Sequence, residues 1–193
     1  MCEMAFRVES EELKTGAGQM DMYSCGLGGL MYLDSSNRPP TIIEKSSVPN
    51  DLDIVIVDTL TPRSTAEVIK AKRIRYSEKE SSILKYVEKT LASIESIRKL
   101  MQEDHLDIEK LGRSITQCHY FLRDYMKVST DLLNKCVEIS IENGALGAKL
   151  TGTGMGGCMF CIAQNNKVEG IIKKLKQLNV KVYKTKLLNI GLN

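Results

Sequence analysis

The apolar positions follow a helical period at the start of the chain. Met4, Ala5 and Val8 share one side of residues 1–13, which predicts a helix with no N-cap residue ahead of it. Residues 14–18 read as a glycine-containing loop and residues 21–28 as a short helix. Residues 29–34 (GLMYLD) and 41–45 (TIIEK) then predict strands, joined by a turn at Asn37-Arg38-Pro39-Pro40. Residues 52–58 (LDIVIVD) form a continuous apolar run rich in β-branched side chains, the pattern of a strand buried on both faces.

A long helical region follows. Ser64 or Thr65 can cap a helix to about Tyr76, and residues 78–101 carry one apolar stripe. Asp107 caps a helix whose face is Ile108, Leu111, Ile115, Cys118, Leu122 and Tyr125. Ser129 or Thr130 opens another, ending at Asn143-Gly144. The period changes again in residues 147–151, 158–163 and 180–188, which read as strands, with a helix through Val168, Ile171, Leu175 and Leu178 before the last. The expected fold class is α+β: a β-sheet with helices packed on it, closing in a β-β-α-β unit.

Composition narrows the class. Hydrophobic residues make up 42% and charged residues 26%, which excludes a disordered or collagen-like chain. A net charge of +3 is too mild to point to nucleic acid or an anionic membrane, and neither partner is expected. No apolar run approaches the roughly 18 residues that span a bilayer. Glu3, Arg7, Glu9, Glu11 and Glu12 stand where a signal peptide would be apolar. Most of the six cysteines sit in apolar-periodic segments, as reduced core cysteines do, so a cytoplasmic location is expected.

Four groups of residues could carry chemistry. Asp21 follows Gly16-Ala17-Gly18-Gln19-Met20, so its carboxylate stands at a helix start where backbone N–H groups attract anions; it can equally be a plain helix-starting residue. Gly152-Thr153-Gly154-Met155-Gly156-Gly157 holds four glycines in six residues between two strands, either an anion-binding nest or a tight connection. No helix follows it and no Lys-Ser or Lys-Thr pair ends it, so it is neither a dinucleotide fingerprint nor a Walker loop. Pro62-Arg63-Ser64-Thr65 follows the strand ending at Asp58: Arg63 can hold an anion, or simply be solvated beside a capped turn. Cys158-x-x-Cys161 has no second pair for zinc and its members point to opposite faces of a strand, so no metal site is expected. His119 lies beside the stripe of its helix and reads as a packed histidine.

Three stretches resemble the C-terminal half of the GHMP kinase superfamily. Gly147-Ala148-Lys149-Leu150-Thr151-Gly152-Thr153-Gly154-Met155-Gly156-Gly157-Cys158 is similar to its third motif, with Thr153 and Met155 in place of the commoner Ala and Gly. Gly16 to Asp21 with Gly28-Gly29 resembles the segment bearing the catalytic aspartate, and Val57-Asp58-Thr59 with Pro62 to Thr65 resembles the strand and loop that follow. Val128-Ser129-Thr130 and residues 144–150 look like mevalonate kinase, whereas Met20-Asp21 and Leu122-Arg123-Asp124 look like galactokinase.

The resemblance implies a ferredoxin-like closing unit, with residues 1–65 a remnant of the kinase N-terminal domain and 66–193 the C-terminal domain. It implies transfer of the ATP γ-phosphate, with Mg²⁺ on the phosphates, to the hydroxyl of a small-molecule alcohol, mevalonate or a sugar. Asp21 would be catalytic; Gly16, Gly18, Gln19, Arg63 and Thr151 would bind substrate; Gly152, Thr153, Gly154, Met155, Gly156 and Gly157 would line the phosphate side. Asp21 and the glycine hairpin are expected to share one cleft. The family's P-x-x-x-G-L-G-S-S-A phosphate loop does not occur in the sequence, so the chain is expected not to turn over alone and to act as the substrate-side half of a kinase. Its partners would be a complementary N-terminal kinase chain or a second copy of itself. The rival reading is a non-catalytic binding or assembly module of the same fold.

Overall fold

The computed structural model describes residues 1–14, 18–37 and 39–191. Two compact units emerge. The first holds Met1–Asn50, Met101–Leu106 and the described residues from Leu187 on; the second holds Asp51–Leu100 and Asp107–Lys186. A division at residue 65 was expected from the sequence. The structural division falls at Asp51, because the strand that follows is built into the sheet of the second unit.

In the first unit, α1 (Cys2–Arg7) runs into a π-helical turn at Val8–Glu12, so the expected single helix is present with a widened second half. The short helix α2 (Met20–Leu27) ends at Gly28, whose φ of 63° suits glycine. A Cβ there would press on the Ile190 backbone, 2.5 Å away. β1 (Leu30–Asp34) and β2 (Thr41–Ser46) pair antiparallel with a register shift at Tyr32/Leu33. Asn189 clamps the chain beyond β2, accepting from the Val48 N–H at 2.7 Å and donating to its carbonyl at 2.9 Å.

The second unit is built on one four-stranded antiparallel sheet. Its strands are β3 (Leu52–Asp58), β4 (Gly147–Leu150), β5 (Cys158–Gln164) and β6 (Lys181–Lys186), in the spatial order β4-β5-β3-β6. The expected β-β-α-β tail is there as β4-β5-α7-β6, with α7 at Asn165–Leu175. β3 inserts between β5 and β6, which turns that tail into the four-stranded split arrangement of a ferredoxin-like fold. The expected burial of β3 on both faces is met on one. Val55 and Val57 are fully buried, whereas Ile54 and Ile56 are half-buried.

Between β3 and β4 come α3 (Thr65–Ser77), α4 (Ser81–Met101), α5 (Ile108–Phe121) and α6 (Asp131–Glu142). Ser64, Asp107 and Thr130 cap α3, α5 and α6, each side chain accepting an N–H three residues on. α5 ends in a π-helical turn at Leu122–Met126, closed by Lys127 in the left-handed region. The core joins Leu133, Cys136 and Val137 of α6 and Val168, Ile171 and Leu175 of α7 to Val55, Val57, Ala148, Leu150, Met159 and Cys161 of the sheet. Cys161 faces this core, where burial pushes its thiol up to about 11, while Cys158 points the other way and is half-buried.

Candidate functional site

β4 is an edge strand, and α5 lies along it rather than over the sheet face. Gly112 permits this. A Cβ there would collide with the Leu146 carbonyl, and one at Gly147 with the Gly112 backbone. One and two turns on, Thr116 and His119 satisfy the outward N–H groups of β4. Thr116 Oγ1 accepts from Ala148 at 3.1 Å and His119 Nδ1 from Leu150 at 3.3 Å. Because Nδ1 accepts, the ring proton is on Nε2, which donates to Asn134 Oδ1 at 3.2 Å. Burial is the main cause that lowers the His119 pKa to about 4. The packed histidine of the sequence pattern is thus the anchor of the last residue of β4, two positions before the first glycine of the loop.

The loop leaves the sheet through Thr151, whose N–H donates to the Cys158 carbonyl at 2.9 Å. Gly152, Gly154, Met155, Gly156 and Gly157 then all take positive φ, between 61° and 120°. Three neighbours hold that shape. The segment after β3 is the first: the Thr59 N–H and hydroxyl both donate to the Gly157 carbonyl, at 3.0 and 2.7 Å, and the Gly157 N–H donates to Thr61 at 3.3 Å. The segment before α6 is the second: the Val128 carbonyl accepts from the Met155 N–H at 2.6 Å, and a Cβ at Gly154 would collide with the same carbonyl. Arg63 is the third. Its Nη1 donates to the Gly156 carbonyl at 2.9 Å, and its guanidinium fills the space a Cβ at Gly157 would need. It is neither freely solvated nor turned wholly outward; it props the loop, and its buried Nε has no partner among the described residues.

The N–H groups of Gly152, Thr153 and Gly156 donate to no acceptor among the described residues. Thr153 Oγ1 is buried and likewise unpaired. Two lysines that were not singled out in the sequence stand beside them. Lys72 of α3 donates to the Thr153 carbonyl at 2.8 Å, and Lys149 of β4 to the Leu150 carbonyl at 3.0 Å. Burial lowers the pKa of both, and Lys149 lowers that of Lys72 further. Lys149 had a readable signal, a cation inside the otherwise apolar strand GAKL; Lys72, on a largely exposed helix, had none.

Asp21, Gly18 and Gln19 belong to the first unit, and Gly16 lies outside the described residues. Asp21 is exposed in the first turn of α2. Gln19, at the cap position, makes no capping bond. Its amide donates to the Asn37 carbonyl at 3.4 Å, and its buried Oε1 is unpaired among the described residues. A Cβ at Gly18 would meet nothing within 4 Å among the described residues. Thr151 and the loop 152–157 stand with Arg63 in the second unit. Among the described residues no three His, Cys, Asp or Glu side chains gather to hold a metal ion, and no helix is long and apolar enough to cross a membrane.

Comparison with known proteins bears on this arrangement. Residues 93–181 match the family described as GHMP kinases C terminal. The chain is 25% identical to a galactokinase of Thermococcus kodakarensis, covering 95% of this chain and 59% of that protein. It is 32% identical to a mevalonate kinase of Thermococcus sibiricus, covering 82% and 47%. The chain thus spans about half the length of the curated relatives it matches. In fold it is similar to L. major mevalonate kinase in complex with R-mevalonate, at a TM-score of 0.72 and 24% identity over 88% of this chain and 52% of that one. It is equally similar to Lactococcus lactis galactokinase complexed with galactose, at 0.72 and 19% over 96% and 58%.

Proposed function

We propose, for a chain that carries the GHMP kinase C-terminal domain and has galactokinases and mevalonate kinases as relatives, that it is the substrate-side part of an ATP-dependent small-molecule alcohol kinase. The observation that carries the reading is the glycine loop: a backbone held at positive φ from three sides, with N–H groups left unpaired and two lysines beside it. A nest of this kind suits an anion and offers preorganised donors to charge that develops on a transferring phosphoryl group.

In the proposed reaction the acceptor hydroxyl oxygen bonds to the γ-phosphorus and the bond from that phosphorus to the β–γ bridging oxygen breaks, releasing ADP. The hydroxyl proton passes to the Asp21 carboxylate. A positioned base is worth roughly 10²- to 10⁴-fold in rate. When bound, ATP supplies the phosphoryl group and Mg²⁺ offsets the charge of its phosphates. The loop N–H groups are the residues of this chain that fit the phosphates. Arg63 and Thr59 act by keeping the loop in shape, and Thr151 sets where it leaves the sheet. Gly18 and Gln19 precede Asp21 and would meet the acceptor. Six free cysteines support a reducing compartment, the cytoplasm.

Mevalonate is the first acceptor to try, because the relatives above 30% identity over more than half of this chain are mevalonate kinases; galactose is the second. The test is release of ADP by these 193 residues mixed with a polypeptide carrying the phosphate loop. We expect acceptor-dependent turnover from the mixture and none from either part alone. A mixture that assembles but consumes no ATP with either acceptor favours the non-catalytic module.

A further inference from the structure

Cations buried without counter-charge are uncommon, because desolvation penalises the charged form unless an opposite charge or a full set of acceptors compensates it. Lys72 and Lys149 are such a pair. Each residue is half-buried, and its ammonium donates to a single backbone carbonyl, that of Thr153 in the loop for Lys72 and that of Leu150 at the end of β4 for Lys149. No carboxylate contacts either one among the described residues. The two repel each other, Lys149 also lowers the pKa of the neighbouring His119 ring, and the thiol of Cys118 is an uncharged neighbour rather than a counter-charge. They approach the loop from different elements, α3 and β4. Between their two carbonyl partners lie the free N–H groups of Gly152 and Thr153 and the orphaned Thr153 hydroxyl.

We propose that Lys72 and Lys149, with the Thr153 hydroxyl and the N–H groups of Gly152 and Thr153, form a subsite for a phosphate or carboxylate group and are its counter-charge. The subsite deepens the kinase reading and rests on it for its occupant: the polyphosphate of the nucleotide or an anionic group carried by the acceptor. An ammonium bound only to a backbone carbonyl keeps donors free, and a hydroxyl beside it can turn its proton toward an incoming oxyanion. A purely structural lysine would tie α3 to the loop through its one bond and gain nothing from a second cation nearby. The pair therefore points to a ligand and not to a brace.

The probe is inorganic pyrophosphate, titrated onto the 193-residue chain and followed by amide chemical shifts. Binding is expected to move the signals of Gly152, Thr153 and Gly156. Lys72→Met keeps the aliphatic stem and removes the charge, and should weaken binding about tenfold or more, as should Lys149→Met. Lys72→Arg should restore most of the affinity, which a packing role would not require. Arg73→Met, on the exposed neighbour, is the control and should bind as the parent does. Thermal melts of each variant separate lost binding from lost folding. Unchanged affinity in folded Lys72→Met, or shifts confined to residues away from the loop, would overturn the proposal. Competition assigns the source: displacement of pyrophosphate by ATP points to the nucleotide, displacement by mevalonate to the acceptor, and displacement by neither overturns the link to the kinase site. ADP release with the phosphate-loop polypeptide is measured separately, so failure of the subsite and failure of the kinase reading give different results.

Discussion

Acid should unseat the glycine loop through His119. Its ring is about 1% exposed, and its Nδ1 holds the Leu150 N–H one residue before Thr151. A protonated imidazole cannot accept that bond. The folded pKa is about 4, against 6.5 for a free histidine. Between these values the unfolded chain binds a proton that the folded chain refuses, so stability falls as the pH drops from about 6.5 to about 4 and levels off below. At roughly 1.4 kcal/mol per pH unit the full loss approaches about 3.5 kcal/mol, and most of it, about 2.5 kcal/mol, is felt by about pH 4.5. Urea unfolding at pH 7.5 and 4.5 measures it, with His119→Gln as the reference. Glutamine does not titrate and can still offer an acceptor, and the carboxylates common to both proteins cancel. The parent should lose about 2 to 3 kcal/mol more than the variant over this interval. Equal losses would refute the account of a neutral histidine pinned to the edge strand.

Two glycines give further tests. Gly112→Ala sits inside α5, where helix propensity alone would stabilise by about 1 kcal/mol. The added Cβ meets the Leu146 carbonyl, so we expect a lower melting temperature, and a rise would contradict the close docking of α5 on β4. Gly154→Ala forces a side chain into a φ of 83° against the Val128 carbonyl, and should cost about 1–2 kcal/mol from backbone strain before any clash is counted; a melt unchanged from the parent would show that the loop does not hold that shape.

Local signals were the legible part of this molecule. Ser64, Asp107 and Thr130 are short polar residues before periodic runs, and each caps its helix as the pattern implies. The continuous, β-branched apolar run of β3 marks a strand without reference to anything distant. Long-range pairing was not legible. β3 is separated from β4 and β5 by four helices, and nothing within its seven residues says that it inserts between β5 and β6. The glycine loop shows the same divide. Its flexibility is plain from composition, but the groups that fix it, Thr59, Arg63 and Val128, come from elsewhere in the chain, and Lys72 reaches it from a helix with no apolar face. The start of α4 moved for a local reason that was visible only afterwards: Lys79 takes a φ of 53°, so the helix begins at Ser81 and not at Glu78.

Asp21 is the residue on which phosphoryl transfer turns in this account. The decisive measurement is passage of label from γ-labelled ATP to mevalonate or galactose by the chain and a phosphate-loop polypeptide, with Asp21 intact and with Asp21→Ala. A drop of roughly 10²- to 10⁴-fold in rate, with pyrophosphate still bound at the glycine loop, is the predicted result. Transfer at the parent rate from the alanine variant would contradict it.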